Sequence, residues 1–386
     1  MEKIYLDNAA TSFPKPPEVA DAVYDYMTKV GANINRGGYE AAYDLEGLVF
    51  ETREMLKDMF GGTDCKNVVF TKNVTESLNV VLKGFLKPGD HVLCSSMEHN
   101  AVMRPLVQLE GLGIQFDRVP ANSNGELETD KLESMIKPNT KAIVMTHASN
   151  LVGTINPIAE VGQLAKKHGL KLIVDAAQTA GVFPIDMNSM NIDALCFTGH
   201  KSLLGPQGIG GFILAEDMID LIYPILSGGT GSISHTEEVP DFMPDKFEPG
   251  TMNLPGIVGL NAALKWINAM GMDSIREHEL MLTERFLDGL APLEESGLIK
   301  IYGLKGIEGR APVVSIQTLN TDCADAAFRL DYEYGIATRV GLHCAPAAHK
   351  SIGTYPVGTL RFSFGVFNTE AEVDAAIRAL ETITRK

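Results

Sequence analysis

Five groups of polar residues follow apolar runs between residues 67 and 201: Thr75, His99, Ser149-Asn150, Asp175 with Gln178 three residues on, and Thr198-Gly199-His200-Lys201. Taken singly, each has an ordinary explanation. Thr75 suits a helix cap, since a hydroxyl satisfies the free N–H groups of a first turn. Asp175 and Gln178 suit a turn, a lone His99 suits a surface or satisfied core position, and Lys201 suits a solvated charge. Together they supply an amine, a carboxylate, an imidazole and hydroxyls, the combination that pyridoxal phosphate chemistry needs. The amine must be free to hold the aldehyde, so burial or neighbouring charge has to lower its pKa. A carboxylate must face the ring nitrogen and keep it protonated, because the pyridinium is the electron sink. The phosphate needs a helix N-terminus with hydroxyls, a role open to Thr75 and Thr198. His99 can cover the ring and move protons, and Gln178 can donate to its phenolic oxygen.

Such residues act together only if one edge of one sheet collects them. Between about 65 and 215, β-rich runs at 67–71, 91–95, 115–119, 141–146, 171–175, 193–198 and 209–214 alternate with amphipathic segments such as 76–85 and 158–168. Strand, helix, strand in sequence predicts crossover units and a mostly parallel seven-stranded sheet covered on both faces. Ligands gather beyond the carboxyl ends of such strands. After Pro255 come helical stretches at 256–270 and 273–294, then strands near Ile299, at 313–318 and at 359–364. The last helix opens on a capping-box pattern, Thr369-Glu370-Ala371-Glu372, with an apolar face of Val373, Ile377 and Leu380. The expected organisation is an α/β domain over 15–253 and a smaller α+β domain over 254–386 joined by the segment 1–14. The turn Glu248-Pro249-Gly250-Thr251 is the expected linker.

Composition narrows the partners. A chain of 386 residues predicts two or three domains. Its 33 Lys and Arg against 49 Asp and Glu give a net charge of −16, which argues against nucleic acid or an anionic membrane as a general partner. No uninterrupted apolar run reaches the ~18 residues of a membrane span. The start, Met1-Glu2-Lys3-Ile4-Tyr5-Leu6-Asp7, lacks the basic-then-apolar pattern of a leader, so a cytoplasmic location is expected. The five cysteines, Cys65, Cys94, Cys196, Cys323 and Cys344, form no C-x-x-C pair and suggest neither a disulfide framework nor a metal site. A nucleotide-binding dehydrogenase would place its glycine fingerprint after the first strand, where this chain has Asn73-Val74-Thr75-Glu76. The glycines between 205 and 211 follow the sixth strand instead, and fit close packing of backbone.

Val174-Asp175-Ala176-Ala177-Gln178, and Thr198-Gly199-His200-Lys201 running into Gly205-Pro206-Gln207-Gly208-Ile209-Gly210, resemble the cofactor signature of the class V aminotransferase fold family. More narrowly, the chain resembles that family's cysteine desulfurases and selenocysteine lyases, those nearest the Suf-type enzymes. The likeness keeps its order from Tyr5-Leu6-Asp7-Asn8-Ala9-Ala10 through Asn35-Arg36-Gly37, Thr75-Glu76, Glu98-His99-Asn100, Ser149-Asn150, Gly153-Thr154 and Gly250-Thr251. It continues through Arg339-Val340-Gly341-Leu342-His343-Cys344 to Arg361 and Phe367-Asn368-Thr369. Departures stand at Asn35 and Leu342, where histidine is common, and at Leu360 before Arg361.

The resemblance implies a fold type I pyridoxal-phosphate-dependent transferase. Lys201 would hold the cofactor, Asp175 would pair with its ring nitrogen, Gln178 would contact its phenolic oxygen and His99 would stack on the ring. Thr75, Thr198 and His200 would bind the phosphate, and Thr251 would reach the phosphate of a neighbouring subunit in a homodimer with shared sites. Asn150, Arg339 and Arg361 correspond to substrate contacts, with Arg361 clamping the carboxylate. Cys344 matches the sulfur-accepting cysteine, and Arg339 and His343 are expected to stabilise its thiolate. The implied reaction turns L-cysteine into L-alanine and leaves sulfur on Cys344. A sulfur-acceptor protein would receive it, with iron–sulfur cluster assembly as one destination. L-Selenocysteine cleavage, or another lyase or aminotransferase reaction of the family, would use the same acid, base and clamp.

Overall fold

Runs of Val, Ile, Leu and Phe build a seven-stranded sheet in the computed structural model, which describes residues 3–35, 37–233 and 235–385. Across the sheet the strands lie in the order Val68–Thr71, Gly210–Leu214, Ala194–Thr198, Lys171–Asp175, Thr140–Thr146, His91–Ser95, Gln115–Val119. Six run the same way. Gly210–Leu214 is antiparallel to both neighbours, because the connection 199–209 holds no helix and so makes no crossover. Glycine is required there: a Cβ on Gly211 would lie 2.5 Å from the Val69 carbonyl oxygen. The central strands are buried end to end while edge strand Gln115–Val119 is half exposed, as a sheet covered on both faces demands.

Helices Val74–Phe85, Asn100–Glu110 and Ile158–Lys167 make the crossovers. From strand His91–Ser95 the chain steps outward to the edge. It then returns on the other side of that strand with Thr140–Thr146 and moves on through Lys171–Asp175. The reversal opens a crevice at the carboxyl ends of these strands. Every residue group picked out above from 99 to 201 lies at or just beyond one of those ends.

The C-terminal sheet is antiparallel, in the order Arg339–Gly341, Thr359–Ser363, Val313–Thr318, Ile299–Tyr302. Its first strand has no apolar alternation and escapes a sequence reading. The predicted capping box is formed: Thr369 accepts from the Glu372 backbone N–H and the Glu372 carboxylate accepts from that of Thr369, at the head of helix Glu370–Thr384.

Helix Leu254–Met270 packs into the core of the large sheet through Leu254, Ile257, Leu260, Leu264 and Ile267. The apolar cores therefore change over inside the next helix, Met272–Glu295, where Ile275 faces the large core and Leu282, Phe286 and Leu290 the small one. A turn marks the expected linker, but the division of the packing follows one helix later. The N-terminal segment belongs to both halves. Ile4–Tyr5 pairs with Ile336–Ala337 and Leu6 enters the small core. Farther along, Thr11 Oγ1 and the Ser12 backbone N–H donate to the His200 carbonyl, and Ser12 Oγ donates to that of Lys201.

Glu279 is buried in the same long helix with one carboxylate oxygen unpartnered among the described residues. Burial raises its pKa from the ordinary 4.5 to about 8. Between those values the folded chain holds a proton that the unfolded chain releases, so this group's effect on stability worsens as the pH rises. Glu279→Gln should therefore gain up to about 4 kcal/mol over the parent at pH 8, and much less at pH 5. Urea unfolding at the two pH values measures it; parallel stability profiles would refute the assignment.

Candidate functional site

Asp175 ends its strand in the floor of the crevice, 2% exposed, and one carboxylate oxygen accepts from the Ala177 backbone N–H at 2.9 Å. Burial raises its pKa, against a smaller lowering by the Lys201 charge. Lys201 follows strand Ala194–Thr198 in a turn closed by the Leu204 backbone N–H donating to the Lys201 carbonyl. Burial lowers its amine to about 8, opposed by Asp175 and assisted by Arg361 and Arg339. With that value, part of the amine is free near neutral pH.

His99 caps helix Asn100–Glu110: its Nδ1 accepts from the Ala101 backbone N–H at 3.0 Å. That bond puts the ring proton on Nε2. Burial first, then Lys201, Arg361 and Arg104, push its pKa down to about 4, so the imidazole is neutral at pH 7. Gln178 donates to the Ala9 carbonyl at 3.1 Å. Thr75 lies in the first turn of its helix with an exposed side chain, but the cap is Asn73, which accepts from the Glu76 backbone N–H. Thr198 Oγ1 and His200 Nδ1 are buried without a hydrogen-bond partner among the described residues. Burial, Lys201 and Lys15 lower His200 to about 4.

Arg339 and Arg361 stand directly opposite one another on neighbouring strands, an arrangement of like charges that destabilises unless something intervenes. Asp7 intervenes. Its carboxylate lies 2.8 Å from Arg361 Nη2 and 3.9 Å from Arg339 Nη1. Arg361 Nη1 donates to the Asn150 carbonyl at 2.8 Å, while Nε is buried and unpartnered. The guanidinium is thus already held on two sides, and only part of its fork is open to a carboxylate. Asn150 Nδ2 in turn donates to the His343 carbonyl at 2.8 Å.

Cys344 is the one exposed cysteine; the other four are buried. His343 and Cys344 both have left-handed backbone, with φ of 46° and 57°, which costs non-glycine residues about 1–2 kcal/mol each. The loop is pinned from both sides, since the Asn100 backbone N–H donates to the Cys344 carbonyl at 2.8 Å and Asn150 holds that of His343. His343 does not take its expected place beside the thiol. Its ring turns inward, Nε2 lies 3.1 Å from both Thr359 oxygens, and it stacks on His349 with centroids 5.7 Å apart. Burial and nearby Arg361 drive its pKa to about 2, so it carries no positive charge to offer a thiolate.

Thr251 is not brought to these residues. It lines a separate surface groove with Phe70, Lys72 and Glu76. Arg36 lies outside the described residues. Two side chains escaped the sequence reading. Asp7 had only its place in the Tyr5-to-Ala10 run to mark it. Glu98 is fully buried behind the crevice, bonded to Ser95 Oγ and to the Thr146 backbone N–H, with its pKa raised to about 8 by burial. Its place in the Glu98-His99-Asn100 run was its only signal.

These groups fit pyridoxal phosphate. Asp175 is a buried carboxylate short of a cation, which a protonated ring nitrogen would supply. Thr198 and His200 offer unsatisfied atoms beside a helix N-terminus. Lys201 offers a partly free amine. Among the described residues no group of three or more metal-ligating side chains occurs, and no helix is long and apolar enough to cross a membrane.

Comparisons with known proteins point the same way. The family model for class V aminotransferases matches residues 4–376. A probable cysteine desulfurase of Halobacterium salinarum is 34% identical over 98% of this chain and 91% of its own length. One from Pyrococcus abyssi is 34% identical over 100% and 95%. Among solved structures, the apo cysteine desulfurase of Thermococcus onnurineus superposes with a TM-score of 0.91 at 33% identity, covering 99% of this chain and 95% of that one. The Escherichia coli cysteine desulfurase CsdA gives 0.86 at 28% identity, covering 98% and 94%.

Proposed function

The chain belongs to the class V aminotransferase family, on its cysteine desulfurase branch, and from that premise we propose that it converts L-cysteine to L-alanine with pyridoxal phosphate, leaving the sulfur as a persulfide on Cys344. The observation that carries this reading is the exposed Cys344, whose carbonyl accepts from the Asn100 backbone N–H while the Asn150 side chain holds the carbonyl of His343 beside it. These are the loops that border the buried amine and the arginine clamp.

Pyridoxal phosphate, when bound, supplies the electron sink that lets the Cα–H bond of an amino acid ionise. Asp175 is the partner for its ring nitrogen, Gln178 for its phenolic oxygen, His99 for its ring face, and Thr75, Thr198 and His200 for its phosphate. Arg361 binds the substrate carboxylate through Nε and the free hydrogens of its terminal nitrogens, with Arg339 and Asn150 alongside. Lys201 Nζ, held near pKa 8 by burial, takes the Cα proton. Cys344 Sγ attacks the substrate sulfur; the new S–S bond forms as the Cβ–S bond breaks and leaves its electron pair on carbon, which a proton then quenches to give L-alanine.

The exposure of Cys344 leaves its sulfur open to an external acceptor. Tyr24, Met27, Tyr39, Tyr43 and Phe50, on or beside the N-terminal helices, are each solvent-facing. These exposed apolar side chains, and the position of Thr251 away from its own Lys201, support a homodimer in which each Thr251 reaches the partner's phosphate site. A cytoplasmic location and service to iron–sulfur cluster assembly fit the same reading. The test is product analysis after mixing protein, pyridoxal phosphate and L-cysteine. Alanine and protein persulfide should appear together, one for one, in the first turnover. Alanine without persulfide, or neither, would sink the proposal.

A further inference from the structure

Helices Asn100–Glu110 and Pro346–Ser351 enclose an open groove of about 540 Å³ beside the Cys344 loop. Met103, Val107 and Pro346 line it, and Arg104, Arg118 and Lys350 bring three positive charges to it. Arg104, Arg118 and Lys350 make no ion pair among the described residues; Arg118 and Lys350 lie instead over the rings of Phe116 and Tyr355, at 5.0 and 5.1 Å. The groove is joined to the reacting sulfur at two points. Asn100, in its wall, holds the Cys344 carbonyl, and Pro346 follows Cys344 by two residues. Three unpaired cations in one concavity are unusual on a chain of net charge −16.

We propose that this groove binds a small thiol bearing two or three carboxylates, which takes the sulfur from Cys344. The proposal rests on the persulfide reading given above. Size and charge both favour a small acceptor. The volume lies in the range of small-molecule sites, ~300–1,000 Å³. An acidic protein large enough to cover the groove would also meet more of a chain whose net charge is −16, whereas a small anion inside it is screened from charges beyond about 8 Å. In the transfer, the acceptor thiolate attacks the outer persulfide sulfur. A new S–S bond forms, the old one breaks, and its electron pair leaves on Cys344 Sγ. The acceptor sulfur is oxidised to a persulfide, Cys344 returns to a thiolate, and the proton stays on the transferred sulfur.

Two measurements test it. In the first, enzyme preloaded with persulfide is mixed with mercaptosuccinate or with neutral 2-mercaptoethanol at equal thiolate concentration. Mercaptosuccinate should react at least about tenfold faster, and the advantage should shrink with added salt. The double variant Arg118→Gln/Lys350→Gln should lose that advantage while its rate with 2-mercaptoethanol stays the same. In the second, calorimetry with the thiol-free anion tricarballylate, using the holoenzyme, should show binding that the double variant lacks. Equal rates with the two thiols, or an advantage the variant keeps, would overturn the proposal. Transfer that is fast only to a protein would assign the groove to a macromolecule and overturn it as well. Failure to load persulfide at all would bring down the proposed function, and the calorimetric result separates that outcome from a failure of the groove.

Discussion

Replacing Cys344 with serine should abolish persulfide formation and slow alanine release from L-cysteine by about 10³-fold or more, while the cofactor's visible absorption is retained. The substitution changes little else. The Cys344 side chain is exposed, and the loop is held through the carbonyls of His343 and Cys344, which a serine keeps. The two left-handed residues are equally tolerable with serine, so stability should match the parent within about 0.5 kcal/mol. Loss of turnover could then not be blamed on unfolding. Alanine formed at the parental rate by the serine variant would show that another group accepts the sulfur.

Lys201→Ala is expected to remove the borohydride-sensitive visible band and to lower turnover by at least 10²–10⁴-fold, the usual worth of a placed general base. The buried amine also makes a graded prediction. With a pKa of about 8 in place of the ordinary 10.5, the free-amine fraction at pH 7 is about 300-fold larger than for an exposed lysine. The rate at which apo-protein develops the visible band with pyridoxal phosphate should rise about tenfold per pH unit up to pH 8 and then level off. A rise continuing to pH 10 would mean that the amine is not depressed. His99, His200 and His343 are all neutral well below pH 6, so a step between pH 6 and 8 could not be assigned to them.

The large sheet was legible because its strands are apolar runs ended by polar residues, and because intervening amphipathic segments require crossovers. The same pattern put Asp175, Thr198 and Lys201 at one edge. Strand direction was less accessible: Gly210–Leu214 turns antiparallel through the path of 199–209, which the strand's own residues do not encode. Strand Arg339–Gly341 is short and exposed, and only its pairing with Thr359–Ser363 makes it a strand. Asp7 lies 354 residues from Arg361, so its effect on the clamp is a product of folding alone. His343 shows the opposite failure. Proximity to Cys344 in sequence suggested a charged helper, but a left-handed backbone turns its ring into the interior.

The N-terminal strap sets a limit on how the two halves can be treated. In nine residues it pairs with Ile336–Ala337, meets Arg361 through Asp7 and closes on the carbonyls of His200 and Lys201. A hinge opening that swung the C-terminal sheet away would have to drag that peptide along, so the arginine and the lysine travel on one cord. Cutting the gene at residue 253 to express separate modules would leave the large half holding the strap only by Thr11 and Ser12, with nothing to anchor Ile4 to Asp7. The small half would lack Leu6 from its core and the carboxylate that keeps its two facing arginines apart.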